Sequence, residues 1–401
     1  MYALTNARLV DGTGSAVRTD VTVVVEGGRI AAVDTDPPAE ATIVDLEGKT
    51  LLPGLVDAHV HLSSSDRPDA PDELEAYVLC DAARRLLEGG ITTVRDLGSY
   101  GRSLFRLREA VELGLCVGPR LVLCGQIVAA TSPGGRAFPG MYREADGPDE
   151  MRKATREQIR QGADFVKVMT TGALTVADED VHPAQLTGDE LGAVVEEAHR
   201  TGYRVASHAE GLDGIRLSVE AGVDTLEHGE MAFGEPAILE MMAAHGTTLV
   251  PTLRVFEAVA DPDGGFPERM RERALFLGEA AGKTVEAARR AGVPLAMGAD
   301  AGPHGGNARE LVLLVEAGLS PEEAIVAGTR EAARACGLGN EVGTVEAGKA
   351  ADLLVLDGDP LADIRIFLDR ERVFLVLREG RPVAGTAVHG RLLHAAEALR
   401  D

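Results

Sequence analysis

Six side chains capable of binding a metal or moving a proton stand at five places in this 401-residue chain, each on a short apolar run. GLVDAHVHL, over 54–62, carries His59 and His61. Lys167 lies inside FVKVMTTG, His208 near the end of VASHAE, His228 in TLEHG and Asp300 in MGADAG. Neutral imidazole and carboxylate are ordinary ligands for zinc and its neighbours. Residues i and i+2 of a strand face the same side, so His59 and His61 can enter one mouth. A single histidine at a strand end is usually structural. Four of them with an aspartate point to a metal centre.

Lys167 is the least expected of the six. It lies between Val166 and Val168, where an ammonium is costly to bury. A cation also repels a metal and has no lone pair to offer. Three fates fit it. A neutral amine of depressed pKa can form a Schiff base. The side chain can snorkel to an ion partner. Or the amine can add CO2, and the resulting carbamate anion can bridge two metals about 3.5 to 4 Å apart. The four histidines favour the carbamate, because Schiff-base chemistry needs no such cluster.

The elements that must position these residues repeat one pattern. A helical segment ends in Gly and a β-rich run follows at once, as in LLEGG-ITTVRD, IRQGA-DFVKVMT, HRTG-YRVASHAE, VEAG-VDTLEHG, AAHG-TTLVPTL and RRAG-VPLAMGAD. The runs are continuously apolar, as parallel strands covered on both faces are. With 54–62 and 119–125 they make eight, beginning near residues 54, 91, 119, 163, 203, 223, 247 and 293. Thr187 with Glu190, and Ser320 with Glu323 after Pro321, read as helix starts. Eight βα units predict a (β/α)8 barrel, whose active site lies at the strand C-termini. No GxGxxG follows a strand, which counts against a doubly wound sheet. Residues 1–53 and 343–393 read instead as short β runs between Gly-rich turns. They predict one small composite β-sandwich domain, 1–53 plus 343–401, beside a barrel over 54–342.

Composition narrows the function. With 40 Lys and Arg against 64 Asp and Glu the net charge is −24, which argues against nucleic acid and anionic membranes. Aromatics at 3% weaken base stacking as well. No run of about 18 apolar residues predicts a membrane span. The start MYALTNARLVDG lacks the basic and apolar regions of a signal peptide. Cys80, Cys116, Cys124 and Cys336 form no cluster, as expected for reduced thiols of a cytoplasmic protein.

Together the motifs resemble the amidohydrolase superfamily. LLPGLVDAHVHL, ITTVRDLG, GADFVKVMTTGA, SHAEG, LEHG, GADAG and GTVEAGKAADLLVLDGDPL occur in the family's order over almost the whole chain. Within it the chain looks most like the branch of imidazolonepropionase-related and Xaa-Pro dipeptidase-like enzymes. The resemblance implies two divalent metal ions, zinc by default, and commonly a homo-oligomer. It implies that His59, His61 and Asp300 bind a buried ion and His208 and His228 an outer one, with carboxylated Lys167 bridging both. A hydroxide between the ions would then attack a carbonyl, with Asp300 carrying the proton to the leaving nitrogen.

Small-molecule substrates follow from the same resemblance: dipeptides or N-acyl amino acids first, then cyclic amides, carbamates or ureas. A deaminase is a further alternative, although Lys167 and the place of Glu210 count against it. A Schiff-base lyase acting through Lys167 and a metal-free scaffold complete the field, and no ligand position is lost as a scaffold would allow. Two positions depart from the branch. Arg136 stands in TSPGGRAFPG where a histidine is common, and Glu210 stands two residues past His208 where His or Tyr is common. Arg136 can clamp a substrate carboxylate or be a solvated loop residue. Glu210 can receive a substrate amine or hydrogen-bond His208. His304 is a candidate substrate contact, and the turn at Thr170 and Thr171 a candidate support for the carbamate. The loops 63–72, 131–147 and 261–266 are expected to shape the pocket.

Overall fold

A computed structural model describes residues 1–63 and 74–389. Most of the expected pocket loop 63–72, and the last residues of the expected composite domain, lie outside the described residues.

The chain opens with β1 (Tyr2–Leu9), β2 (Arg18–Glu26), β3 (Arg29–Val33), β4 (Thr42–Asp45) and β5 (Thr50–Pro53). It then enters the alternating part with β6 (Leu55–Val60), β7 (Ile91–Asp96), β8 (Arg120–Leu123), β9 (Ile127–Ala129), β10 (Tyr142–Glu144), β11 (Phe165–Met169), β12 (Arg204–Ala209), β13 (Thr225–His228) and β14 (Thr248–Val250). Strands β6, β7 and β8 pair in parallel, and so do β9, β11, β12, β13 and β14 in that order, with β10 on the edge. Backbone hydrogen bonds carry the ring across the gaps. Asp164 donates to Leu123 at 2.7 Å, between β8 and β11. Leu249 donates to Pro294 and Ala296 to Leu249, both at 2.9 Å, which brings the segment 293–300 beside β14. That segment returns to β6 through Ala58 to Met297 and Asp300 to His59, again at 2.9 Å. The result is a (β/α)8 barrel.

Two details differ from expectation. The eighth run makes only a single bridge, Leu295 to Leu249, rather than a strand. Pro294 has no N–H to give a ladder, and Gly298 follows close behind. The loop after β8 holds two short strands, β9 and β10, that the sequence pattern did not reveal. At three residues each they are too short to show a period.

The last strands, β15 (Leu353–Leu356), β16 (Val373–Arg378) and β17 (Arg381–Ala384), join the first five in one eight-stranded sheet ordered β17-β16-β15-β5-β1-β2-β3, with β4 also on β1. Strand β1 bonds β4 through residues 2–5 and β5 through residues 8 and 9, so the sheet branches there. Both branches share one apolar core, including Leu4, Val23, Leu51, Leu353 and Leu375. This β-rich unit from both termini is tied to the barrel. Arg120, at the start of β8, reaches Asp352 and Glu379 at 3.2 and 3.0 Å.

The helices start where their caps said. Thr187 with Glu190 and Ser320 with Glu323 each form a complete capping box. No described helix is long and apolar enough to cross a membrane. The described cysteines form no disulfide.

Gly298 lets the eighth segment touch the first strand. A Cβ there would lie 2.4 Å from Val250 Cγ1 and 2.7 Å from His59 Cβ. Gly298→Ala is therefore expected to lower unfolding free energy by about 1–3 kcal/mol through overpacking. Chemical denaturation of the metal-free protein checks this, and an unchanged midpoint would contradict it.

Candidate metal centre

His59, His61, Lys167, His208, His228 and Asp300 converge at the C-terminal mouth of the barrel. His59, on β6, is buried, and its Nε2 lies 3.6 Å from Asp300 Oδ1. His61, just past β6, places its Nε2 3.5 Å from the same oxygen. The His59 ring centroid is 5.4 Å from that of His61 and 5.1 Å from that of His228. The His208 and His228 rings are 4.5 Å apart. Lys167 is buried at the centre of β11, in register with Ala206 of β12.

Each histidine is held by its other ring nitrogen. His59 Nδ1 meets Glu227 Oε2 at 2.8 Å and His61 Nδ1 meets the Gly98 carbonyl at 3.0 Å. His208 Nε2 faces the Gly172 carbonyl at 3.1 Å, and His228 Nδ1 faces Thr252 Oγ1 at 2.7 Å. Such partners fix the ring and leave the opposite nitrogen for a metal.

Burial sets the charge states. It drives His59 and His228 well below the ordinary histidine range, helped by the neighbouring Lys167 charge. It lowers His61 to about 4. It lowers Lys167 to about 8, against the pull of Glu227 and Asp300. It raises Asp300 to about 8, with Lys167 opposing. His59, His61 and His228 are therefore neutral, the form that binds metal.

A divalent ion fits this donor set. Ligand atoms of His59, His228 and Asp300 all lie within 4.8 Å of one another. Asp300 stands too far from the two imidazole nitrogens to hydrogen-bond them. Tetrahedral zinc with Zn–N bonds near 2.05 Å separates its ligand atoms by about 3.3 Å, close to these distances. His61 faces the same Asp300 oxygen, the His208 ring lies beside that of His228, and the Lys167 charge is felt at His59, His61 and His228.

The remaining candidates divide. Arg136 is not brought to the cluster. Its side chain is 76% exposed and pairs with Asp178 at 2.9 Å, so it behaves as a surface loop arginine. Glu210 is buried, with Oε1 3.4 Å from His208 Nε2 and accepting from Leu174 N at 2.8 Å. His304 is buried rather than on the surface, and its charge is felt at His61. The Thr170 hydroxyl meets that of Ser207 on β12 at 2.7 Å, and the Thr171 hydroxyl donates to the Gly172 carbonyl at 3.0 Å and accepts from Glu210 N at 3.1 Å, so both tie the turn to the end of β12.

Sequence reasoning missed the layer behind the histidines. Glu227 is fully buried between His59 and Arg95, whose Nη2 donates to Glu227 Oε1 at 2.8 Å. Asp57 accepts from the backbone of His59 and Ala299 at 3.1 Å each, and from Asn307 Nδ2 at 2.7 Å. Asp96 accepts from Leu62 N at 2.8 Å and Gly98 N at 3.1 Å, which anchors the turn after His61. Charged residues inside apolar strand runs were the available signal, the same one that marked Lys167.

The amidohydrolase family model matches residues 50–392. The chain belongs to the amidohydrolase family. This amidohydrolase is 31% identical to ochratoxinase of Aspergillus niger over 371 residues, 84% of this chain and 76% of that one. It is 29% identical to imidazolonepropionase of Erwinia tasmaniensis, over 77% of this chain and 79% of that one. Among solved structures it resembles a Xaa-Pro dipeptidase with methionine bound in its active site. The TM-score is 0.86 at 30% identity, covering 95% of this chain and 99% of that one. The amidohydrolase is a hydrolytic enzyme acting on C–N bonds.

Replacing Glu227 tests the buried link. Glu227→Ala leaves Arg95 charged, buried and unpaired, so it is expected to cost about 3–5 kcal/mol of stability. Denaturant unfolding of the metal-free protein measures this, and a loss below about 1 kcal/mol would contradict the assignment.

Proposed function

We propose that this amidohydrolase is a binuclear metal-dependent hydrolase that cleaves the amide bond of dipeptides or N-acyl amino acids. The observation that carries the proposal is the convergence of neutral imidazoles, a buried lysine and Asp300 at one barrel mouth. The likeness to a Xaa-Pro dipeptidase supports the substrate class. In this reading His59, His61 and Asp300 hold the buried ion and His208 and His228 the outer one. Zinc is the ion expected. The catalytic unit is the barrel over 54–342, beside the composite domain 1–53 plus 343–401.

Lys167, as a carbamate, would supply oxygen ligands to help hold the ions. Burial brings its pKa to about 8, so a share of the side chain is neutral amine at neutral pH. The amine nitrogen adds to CO2 and loses a proton, which turns a cation that repels metals into an anion with two donor oxygens.

When bound, two divalent ions would lower the pKa of a water between them and polarise the scissile carbonyl. The charge of bound ions would keep Asp300 ionised against its burial. Asp300, beside His59 and His61, takes the proton from the attacking water. It then returns that proton to the leaving nitrogen, a general base turned general acid. Glu227 and Gly98 keep His59 and His61 aimed while this occurs.

Assays against a library of dipeptides and N-acyl amino acids test the reading. Hydrolysis should cease on chelation and return with zinc and bicarbonate. Lys167→Ala should lower kcat/KM by more than the roughly 10–100-fold that follows loss of a ligand's own hydrogen-bond partner. Hydrolysis that survives chelation, or a Lys167→Ala enzyme of normal activity, would contradict the proposal.

A further inference from the structure

Beyond His208 and His228 the chain places two buried glutamates, Glu210 and Glu230, each two residues past its histidine. Their carboxyl groups repel one another. Glu210 spends Oε1 on Leu174 N, while its Oε2 has no partner among the described residues. Glu230 is fully buried, and neither of its oxygens has a hydrogen-bond partner among them. The nearby Arg273 donates instead to the Glu179 and Ala173 carbonyls at 3.1 and 3.4 Å. Arg254 donates to the carbonyls of Ala301, Gly302 and Pro303.

Orphan buried carboxylate oxygens cost stability. The fold gains nothing from those of Glu230, so a ligand that supplies donors accounts for them better than packing does. Three unpartnered oxygens match the three N–H donors of one ammonium group. We propose that Glu210 and Glu230 form the subsite for the substrate's α-ammonium group, so that the enzyme selects free-amine dipeptides over N-acyl amino acids. The proposal rests on the amide-hydrolase reading above. An α-ammonium is attached to the carbon next to its own carbonyl. A carbonyl presented at the His208 and His228 side therefore brings the ammonium toward the two carboxylates. The commitment of Arg273 to backbone carbonyls agrees with a cation, rather than a carboxylate, entering there.

The experiment compares alanyl-methionine and alanyl-proline with their N-acetyl forms, on the metal-loaded wild-type enzyme and on Glu230→Gln. Binding is measured by calorimetry and turnover separately. Ligands that bind but are not cleaved would refute the amide-hydrolase reading and leave the subsite standing. The wild type should bind the free-amine forms at least about tenfold more tightly, as a hydrogen bond to a charged group allows, and Glu230→Gln should shrink the ratio to within about threefold. Its melting temperature should hold or rise, since a buried carboxyl group with no partner is replaced by an amide of the same size. Equal binding of the two forms by the wild type, or no binding of either, would overturn the proposal. So would a Glu230→Gln protein that melts lower and keeps the full ratio, because that outcome marks a structural role.

Discussion

The buried contact between Glu227 and His59 is the interaction on which the rest of the centre depends. Glu227 lies inside the barrel with no access to water, where a lone carboxylate would be ruinous. Three groups make it tolerable. Arg95 and the Thr225 hydroxyl donate to one oxygen and His59 meets the other. Arg95 is anchored in turn, through Nε to the Ala58 carbonyl at 2.7 Å and over the Phe165 ring at 5.2 Å. Strands β6, β7, β11 and β13 thereby meet through one chain of charge-assisted contacts. The tautomer and tilt of His59 follow from that chain, and the distances to Asp300 and His228 follow from His59.

Backbone geometry adds a second constraint. His228, Thr252 and Asp300 hold φ values of 70°, 50° and 45°, a region that favours glycine. All three stand at or just past the C-terminal ends of barrel segments, and each contributes to the centre or to its support. Such conformations cost of order 1–3 kcal/mol each and persist where the surroundings enforce them. Here Thr252 and His228 brace one another side chain to side chain. The Asp300 N–H is pinned to the His59 carbonyl. The terminal sheet contributes nothing to the centre directly. It steadies the barrel through Arg120, Asp352 and the shared packing of Leu354 and Val376 with barrel residues.

Much of this was legible in the sequence, because the signals are local. Parallel strands covered on both faces are continuously apolar, so seven of the eight runs form the expected strands. A polar residue inside such a run stands out, which is how His59, Lys167, His208 and His228 could be found. Both capping boxes need only four residues to declare themselves. What stayed hidden depends on contacts between distant segments. Asp57 and Asn307 are 250 positions apart, and Arg95 and Glu227 are 132 apart. No local pattern pairs them, although Asp57, Arg95 and Glu227 are charged residues inside apolar strand runs, as Lys167 is. The Glu210 and Glu230 pair was half legible, since Glu210 departs from its branch while Glu230 follows a histidine without comment. Arg136 stayed open between clamp and solvated residue, because its sequence position carries no information about whether the side chain points to the mouth or to water. The structure places it on the surface beside Asp178.

The central claim is that one barrel mouth holds two divalent ions through four histidines, Asp300 and a modified Lys167. Elemental analysis of the wild-type protein, purified without chelator in bicarbonate-containing buffer, tests this most directly. The account predicts about two divalent ions per chain, falling when CO2 and bicarbonate are withheld during reconstitution. A chain that holds no metal, even after zinc and bicarbonate are supplied, would contradict it.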